Sequence, residues 1–454
     1  MDTTFNFKLK NMLKVMMPIL ITQIALYMIT FFDILMTGRY DTEHLAGVTI
    51  GSSFWVPVYT GLAGILMALT PIIAQHFGAD KKDDIRPSVQ QGLYLSIILA
   101  MIVFAVIYWI ATPILQMMPL EDEVRRVASS YLLAMSFGLI PLFAYSVLRS
   151  FFDGLGETRI SMGIILLSAP INILMNYALI YGKFGFPELG GVGAGYASAI
   201  TYWLVLVIAL FTATQLQHFK PFALLQQWTK PAIQKWVEIL KIGIPMGIAI
   251  FVEISIFSIV TLLMANYTTE TISAHQITLN FTSLLYMIPL SISMGVTILV
   301  GQEVGAKRFQ DARQYGFMAI LFAVVFSFIA IAILMSFPEQ IAGLYSRDET
   351  IVQLATTFFI YAALFQLSDA IQAPVQGILR GYKDVNITFI MAIISYWVIG
   401  LPVGYAMANF ADLGPYGYWI GLITGLTVGA ITLSLRLRVV QKRNSLQRTK
   451  ANFF

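Results

Sequence analysis

The apolar positions of this chain do not alternate and do not recur in narrow stripes. They run in long blocks separated by short polar stretches. A membrane-crossing helix needs about 20 mainly apolar residues. Twelve blocks meet that requirement: 12–38, 46–78, 88–112, 124–150, 160–182, 190–214, 236–267, 271–306, 311–337, 348–378, 386–410 and 415–438. Several are longer than 30 residues, enough to tilt, bend or extend beyond the lipid. Prolines 18, 57, 71, 141, 245, 289, 374 and 402 lie inside them, as membrane helices tolerate, and mark expected bends. The pattern predicts an all-α integral membrane protein with twelve transmembrane helices.

The pattern also repeats. Shifting the chain by 227 residues superposes Leu13 and Lys14 on Leu240 and Lys241, Pro18 on Pro245, Tyr40 on Tyr267, and Met67 on Met294. The same shift carries Gln75, Gly78 and Ala79 onto Gln302, Gly305 and Ala306. Farther on, "LRSFFD" (148–153) meets "LRGYKD" (379–384) at 231, and "LGGVG" (189–193) meets "LGPYG" (413–417) at 224. Six spans per half is an even number, so both halves insert the same way up. The expectation is two pseudo-symmetric six-helix bundles related by an axis along the membrane normal. Residues 1–222 form one and 223–454 the other, with the polar stretch 215–236 as linker. Two such bundles with a cleft between them suit alternating access.

Composition sharpens this. The chain is 58% hydrophobic and 11% charged, against about 25% charged in soluble domains. Twenty-three of the 28 basic residues fall in the termini and even-numbered loops, and five in the odd-numbered loops. The imbalance puts both termini and the linker in the cytoplasm. It also accounts for the net charge of +4 without nucleic acid. With no cysteine, disulfides and thiol chemistry are excluded. "MDTTFNFKLKNMLKVMMPIL" runs into an apolar span with no small-residue cleavage site and reads as the first membrane helix.

Three acids stand out well inside spans, away from their ends: Asp33, Glu253 and Asp369. A carboxylate at the centre of a membrane helix costs about 2.5–3.5 kcal/mol or more, so each is a functional candidate. Glu253 is 12 residues beyond Lys241, about 18 Å in. Asp369 is 11 residues before Arg380, about 16 Å in. Both sit near the midplane of the second half, whereas Asp33 lies in the first half, six residues before Arg39. Gln366, Asp369, Gln372 and Gln376 share one helix face. So do Gln276 and Asn280, and likewise Asn172 and Asn176. The expected groups are Glu253 and Asp369 with Gln276 and Asn280, and Asp33 with Asn172 and Asn176. A carboxylate pair without a nearby fixed base can hold H⁺, Na⁺ or a cationic substrate in competition, which is the simplest antiport.

Other chemistries lack their residues. "GQEVGAK" (301–307) is no phosphate loop, and "GGVGAG" (190–195) has no preceding strand. The histidines at 44, 76, 218 and 275 lack metal-ligand spacing, and no nucleophile–His–acid set is evident. His275 reads as a structural or cavity residue. The sequons at Asn266, Asn280 and Asn386 read as chance. No enzyme, cofactor or nucleic-acid partner is expected.

From end to end the chain resembles the multidrug and toxic compound extrusion (MATE) transporters, in particular their NorM-like branch. "FFDILMTGRY" (31–40), "MALTPIIAQHFGA" (67–79), "NYALIYGKFGFPELGGVGAGYASAITYW" (176–203) and "LFQLSDAIQAPVQGILRGYKD" (364–384) carry the resemblance. It implies two six-helix lobes forming a V, and efflux of cationic or lipophilic drugs in exchange for Na⁺ or H⁺. The expected setting is a bacterial plasma membrane, as a monomer among membrane lipid. In that branch a seventh-helix Glu and a tenth-helix Asp hold the cation, Na⁺ as a metal included, and fall on Glu253 and Asp369. The first-helix Asp falls on Asp33 and the fifth-helix polar pair on Asn172 and Asn176. Gln276, Asn280, Gln366 and Gln372 are expected to line the cavity. Phe365 stands where the branch often has Tyr and offers a cation no oxygen. Asn176 stands where the proton-coupled branch often has Asp. The same superfamily also holds exporters of lipid-linked or polysaccharide intermediates. The acidic intramembrane charges here disfavour such anionic cargo.

Overall fold

The computed structural model describes residues 4–451, and among them there is no strand. The first three residues and the last three, with which the two sequence halves begin and end, lie outside the described residues. Among the described residues eleven helices are long and apolar enough to cross a membrane, and one bent pair, taken as a single span, makes a twelfth. In order they are Phe5–Tyr40, Thr42–Gly78, Lys82–Met117, Asp122–Ser136 with Leu139–Gly154, Thr158–Tyr181, Gly191–Gln215, Ile233–Met264, Thr269–Gly305, Phe309–Ser336, Glu349–Gly381, Asn386–Asn409 and Pro415–Leu446. Most extend past the apolar block, because charged residues at the basic end continue the helix beyond it.

The fourth span is bent by 49° at 137–138. Pro141 explains the place. It has no N–H to give the carbonyl of Phe137, and its ring crowds that carbonyl. Pro71 stands in the same relation to Met67, where the second span pauses for two residues. Side chains set other starts: Asp41 accepts from the Glu43 and His44 amides, Thr268 from Thr271, and Asp348 from Thr350. Each satisfies amides that a helix start leaves unpaired.

The repeat extends to backbone conformation. Asp80 and Lys307, 227 apart, both adopt a left-handed φ of 58°. The Lys81 amide donates to His76 O at 2.9 Å, and the Arg308 amide to Glu303 O at 2.8 Å. Gly156 and Lys383 form a second such pair, with Glu157 donating to Phe152 O and Asp384 to Leu379 O. A Cβ on Gly154 would meet Ile73 at 2.8 Å, and one on Gly381 would meet Val300 at 2.9 Å. The shift is therefore 227 here as well. Pairing "LRSFFD" with "LRGYKD" at 231 is corrected by about one helical turn, so the counterpart of Asp153 is Arg380, not Asp384.

The chain divides into two compact units, Met1–Met16 with Ile248–Phe454, and Met17–Gly247. This division differs from 1–222 and 223–454, because its boundaries fall inside the first and seventh spans. In the first unit the eighth and tenth spans pack closest. Gly377 lies on the Ser293 carbonyl, and Thr297 Oγ1 donates both to Ser293 O (2.9 Å) and to Gly377 O (2.8 Å). Small residues let membrane helices approach where lipid offers no hydrophobic drive. Lys8 pairs with Asp311 at 2.5 Å and with Gln314, and Asn11 donates to Tyr315 at 3.0 Å. Toward the opposite end, Trp419 Nε1 donates to His275 Nδ1 at 3.0 Å, leaving Nε2 to donate to Thr261 Oγ1 at 3.1 Å. A ring that accepts at one nitrogen and donates at the other is neutral. His275 is a buried structural residue.

In the second unit the linker is docked rather than loose. Gln91 Nε2 donates to Thr229 Oγ1 (3.1 Å) and Lys230 O (2.9 Å). Its Oε1 accepts from the Ala232 amide (3.0 Å) and Trp236 Nε1 (2.7 Å). Gln90 binds Leu224 O and the Thr229 amide alongside. Gln91→Leu leaves buried partners unpaired at about 1–3 kcal/mol. Tryptic cleavage after Lys235 is expected to accelerate by about tenfold. An unchanged digestion rate would show that the docking contributes nothing.

Candidate cation site

In the first unit the acids of the seventh and tenth spans come together with amides. Gln376 Nε2 donates to Glu253 Oε1 at 2.5 Å. Gln372 Nε2 donates to Tyr396 Oη at 2.7 Å. Gln366, Asp369, Gln372 and Gln376 are all buried, which is the shared face that 100° per residue imposes. Asp369 and Glu253 lie within electrostatic reach of each other.

Four buried polar atoms here have no hydrogen-bond partner among the described residues: Gln366 Nε2, Asp369 Oδ2, Gln372 Oε1 and Ser395 Oγ. Buried polar atoms are seldom left so, and unpaired oxygens beside two carboxylates form a donor set for a hard cation or a proton. Among the described residues no three His, Cys, Asp or Glu cluster at metal-binding spacing. The oxygens on offer are instead a mixture of carboxylate, amide, phenol and hydroxyl.

Several of these residues escaped the sequence reading. Tyr396 and Ser395 lie in the π-helical segment Ile393–Gly400 of the eleventh span. Such segments often mark functional sites, and "SYW" inside an apolar block was the available signal. Arg380 is also corrected. It is not a loop residue but is 7% exposed in the last turn of the tenth span, within electrostatic reach of Glu253. Glu253 therefore does have a fixed base near it. Phe365 packs edge-on against Phe257 and Trp419, with centroids at 6.0 and 6.1 Å, and serves the apolar cluster. Gln276 and Asn280 lie on the exposed face of the eighth span, where Asn280 Oδ1 accepts from Tyr345 Oη at 2.8 Å. The amides beside the acids come instead from the tenth span.

In the second unit Asn176 Nδ2 donates to Asp33 Oδ1 and to Asn172 Oδ1 (3.1 Å), and Asn172 Nδ2 to Thr201 Oγ1 (3.4 Å). Asp33, Asn172 and Asn176 thus form one chain, with Thr201 of the sixth span at its end. Asn176 Oδ1 has no partner among the described residues. The i, i+4 spacing exposed the asparagine pair in the sequence. Thr201 had no such mark.

These features define a polytopic membrane protein of duplicated six-span halves, each with ionisable groups inside its helices. The profile of the MatE family matches residues 18–178 and, starting 227 positions later, 245–406. A "probable multidrug resistance protein NorM" of Halalkalibacterium halodurans is 54% identical over 440 residues, covering 97% of this chain and 96% of the relative. One of the same description from Bacillus subtilis is 51% identical over 438 residues, covering 96% and 97%. The fold matches a eukaryotic MATE transporter (TM-score 0.85, 21% identity, 98% of this chain and 100% of that one). It also matches a multidrug resistance MATE family transporter in an outward-facing conformation (TM-score 0.86, 20% identity, 96% of each). The chain belongs to the MatE family, as a NorM-like member, and is a transporter rather than an enzyme.

Proposed function

We propose that this protein is a multidrug efflux antiporter that exports cationic or lipophilic compounds in exchange for Na⁺ or H⁺. The observation that carries this reading is the pair of part-buried Glu253 and buried Asp369, with unpaired oxygens around it. Holding that pair charged and empty is costly, so an ion or a cationic substrate binds there in turn, and two similar halves supply alternating access. Asp33 with Asn172 and Asn176 forms the second polar site, on the drug path. Gln276 and Asn280, exposed on the eighth span, serve as polar cavity residues of the first unit. The excess of basic residues in the termini and even-numbered loops supports a cytoplasmic orientation for both termini and the linker, in a bacterial plasma membrane, with the monomer as the working unit.

The test is ethidium efflux from proteoliposomes under an imposed Na⁺ or H⁺ gradient. Uphill efflux is expected with one gradient and its collapse when that ion is equalised. Efflux indifferent to both gradients would refute antiport.

A further inference from the structure

The amide of Gly191 opens the sixth span and has no partner within it, as holds for the first amides of any helix. Its acceptor comes from another span: it donates to His44 Nδ1 at 2.9 Å. A neutral ring that accepts at Nδ1 carries its proton at Nε2. That Nε2 lies 3.3 Å from Glu123 Oε1, at the start of the fourth span. One imidazole thus joins the starts of the second, fourth and sixth spans of the second unit. Its side chain is 12% exposed, so water reaches it. The joint is close. Gly190 takes a left-handed φ of 62°, and a Cβ there would meet His44 Nδ1 and Tyr40 Cε1 at 2.6 Å.

The groups that face the ring are engaged elsewhere. Arg126 holds Glu123 with two bonds, of 2.6 and 3.0 Å. Tyr40 stands edge-on to the ring at 5.1 Å and donates to Glu188 at 2.9 Å. Asp41 accepts from the Glu43 and His44 amides. Glu123 favours a second proton on the ring, but Arg126 offsets its charge. That proton falls on Nδ1, which then turns an N–H toward the N–H of Gly191, and the bond between them is lost.

The first unit has the same frame without the ring. Tyr267 and Gly414, with a φ of 59°, correspond to Tyr40 and Gly190. Position 271 there is Thr, with Oγ1 at 2.9 Å from Thr268 Oγ1, and Thr350 and Gln353 stand at the counterparts of Glu123 and Arg126. That end closes with no histidine in it, so the fold does not demand His44.

We propose that His44 is a proton-binding site, and that its protonation releases the start of the sixth span from those of the second and fourth. The latch needs the neutral ring. It is held at high pH and opens as the pH falls. It uses none of the residues given a coupling role above, so it stands whether the exchanged ion is Na⁺ or H⁺. In the orientation proposed above the ring reads the external pH, but proton binding does not depend on that orientation.

The test is amide hydrogen exchange of the full chain in detergent, read by mass spectrometry on peptides within 186–196. Rates are divided by the intrinsic rate at each pH and compared between about pH 8 and pH 5, the range in which histidines titrate. Protection in the wild type is expected to fall about fivefold on acidification, the worth of one hydrogen bond. In His44→Asn the side-chain Oδ1 takes the place of Nδ1 and binds no proton in this range, so protection is expected to hold. Equal protection at both ends of the range in the wild type would overturn the proposal. So would the same fall in His44→Asn, which would assign it to Glu123 or Glu188. An equal fall over 410–420, the corresponding end of the first unit, would mark general loosening and overturn it too. If His44→Asn does not fold, exchange of the His44 C2 hydrogen in the wild type decides. Its midpoint reports protonation of the ring and is expected to coincide with the loss of protection at Gly191. Two separate midpoints would reject the latch.

Discussion

Glu253→Gln is expected to abolish gradient-driven efflux while the protein stays folded. The amide keeps the shape of the side chain but removes the charge that a cation would meet. Gln376 loses its charged acceptor, and a bond to a charged group is worth about 1.5–3 kcal/mol. Cation affinity should therefore fall by about tenfold to a hundredfold. Stability should hold or rise, since a neutral isostere in place of a buried charge is often favourable. Asp369→Asn should behave alike, as its Oδ2 is one of the unpaired oxygens. Asp33→Asn should keep ²²Na⁺ binding, because its partners belong to the other polar chain. Binding and efflux are measured side by side in the three variants. Wild-type coupling in both Glu253→Gln and Asp369→Asn would remove the coupling role from this site.

Gly377→Leu is expected to damage the fold more than any change at the site. A Cβ at 377 would already sit inside contact distance of the Ser293 carbonyl and 2.7 Å from Ser293 Oγ. A carbonyl inside a packed helix cannot swing aside as the end of a flexible side chain can. The eighth and tenth spans would have to separate, breaking the bond from Thr297 Oγ1 to Gly377 O. Overpacking alone costs about 1–3 kcal/mol, and the lost buried bond adds about 1–3 kcal/mol more. The readouts are a lowered thermal midpoint and a loss of monodisperse protein on size exclusion. A variant that unfolds at the wild-type temperature would show that this contact is not tight in the membrane.

The spans and the repeat were readable because burial in lipid forces long apolar blocks, and duplication leaves glycines and prolines in register. The three acids were readable for the opposite reason, since each breaks such a block. Asn172 and Asn176 followed from helical spacing alone. Tyr396 was not readable, because a buried Tyr is ordinary until Gln372 is seen to donate to it. Arg380 was misplaced because a charge near a span end looks like a loop residue, and only packing shows that the helix carries it inward. The pairing of "LRSFFD" with "LRGYKD" failed by one turn. A helix keeps its face when slid by four residues, so letter matching cannot tell the registers apart. The turns at Gly156 and Lys383 can.

Arg380 also bears on how many ions the proposed site would take. Two carboxylates beside one guanidinium carry a single unit of negative charge when all three are ionised. One monovalent cation or one proton brings the group to neutrality. A divalent cation would leave it positive, and a second monovalent ion would find no charge to meet. For the coupling role proposed above, the residue that in the other half is Asp153 thus makes one coupling ion per cycle the expected stoichiometry, to be checked by the ratio of ²²Na⁺ or H⁺ flux to drug flux.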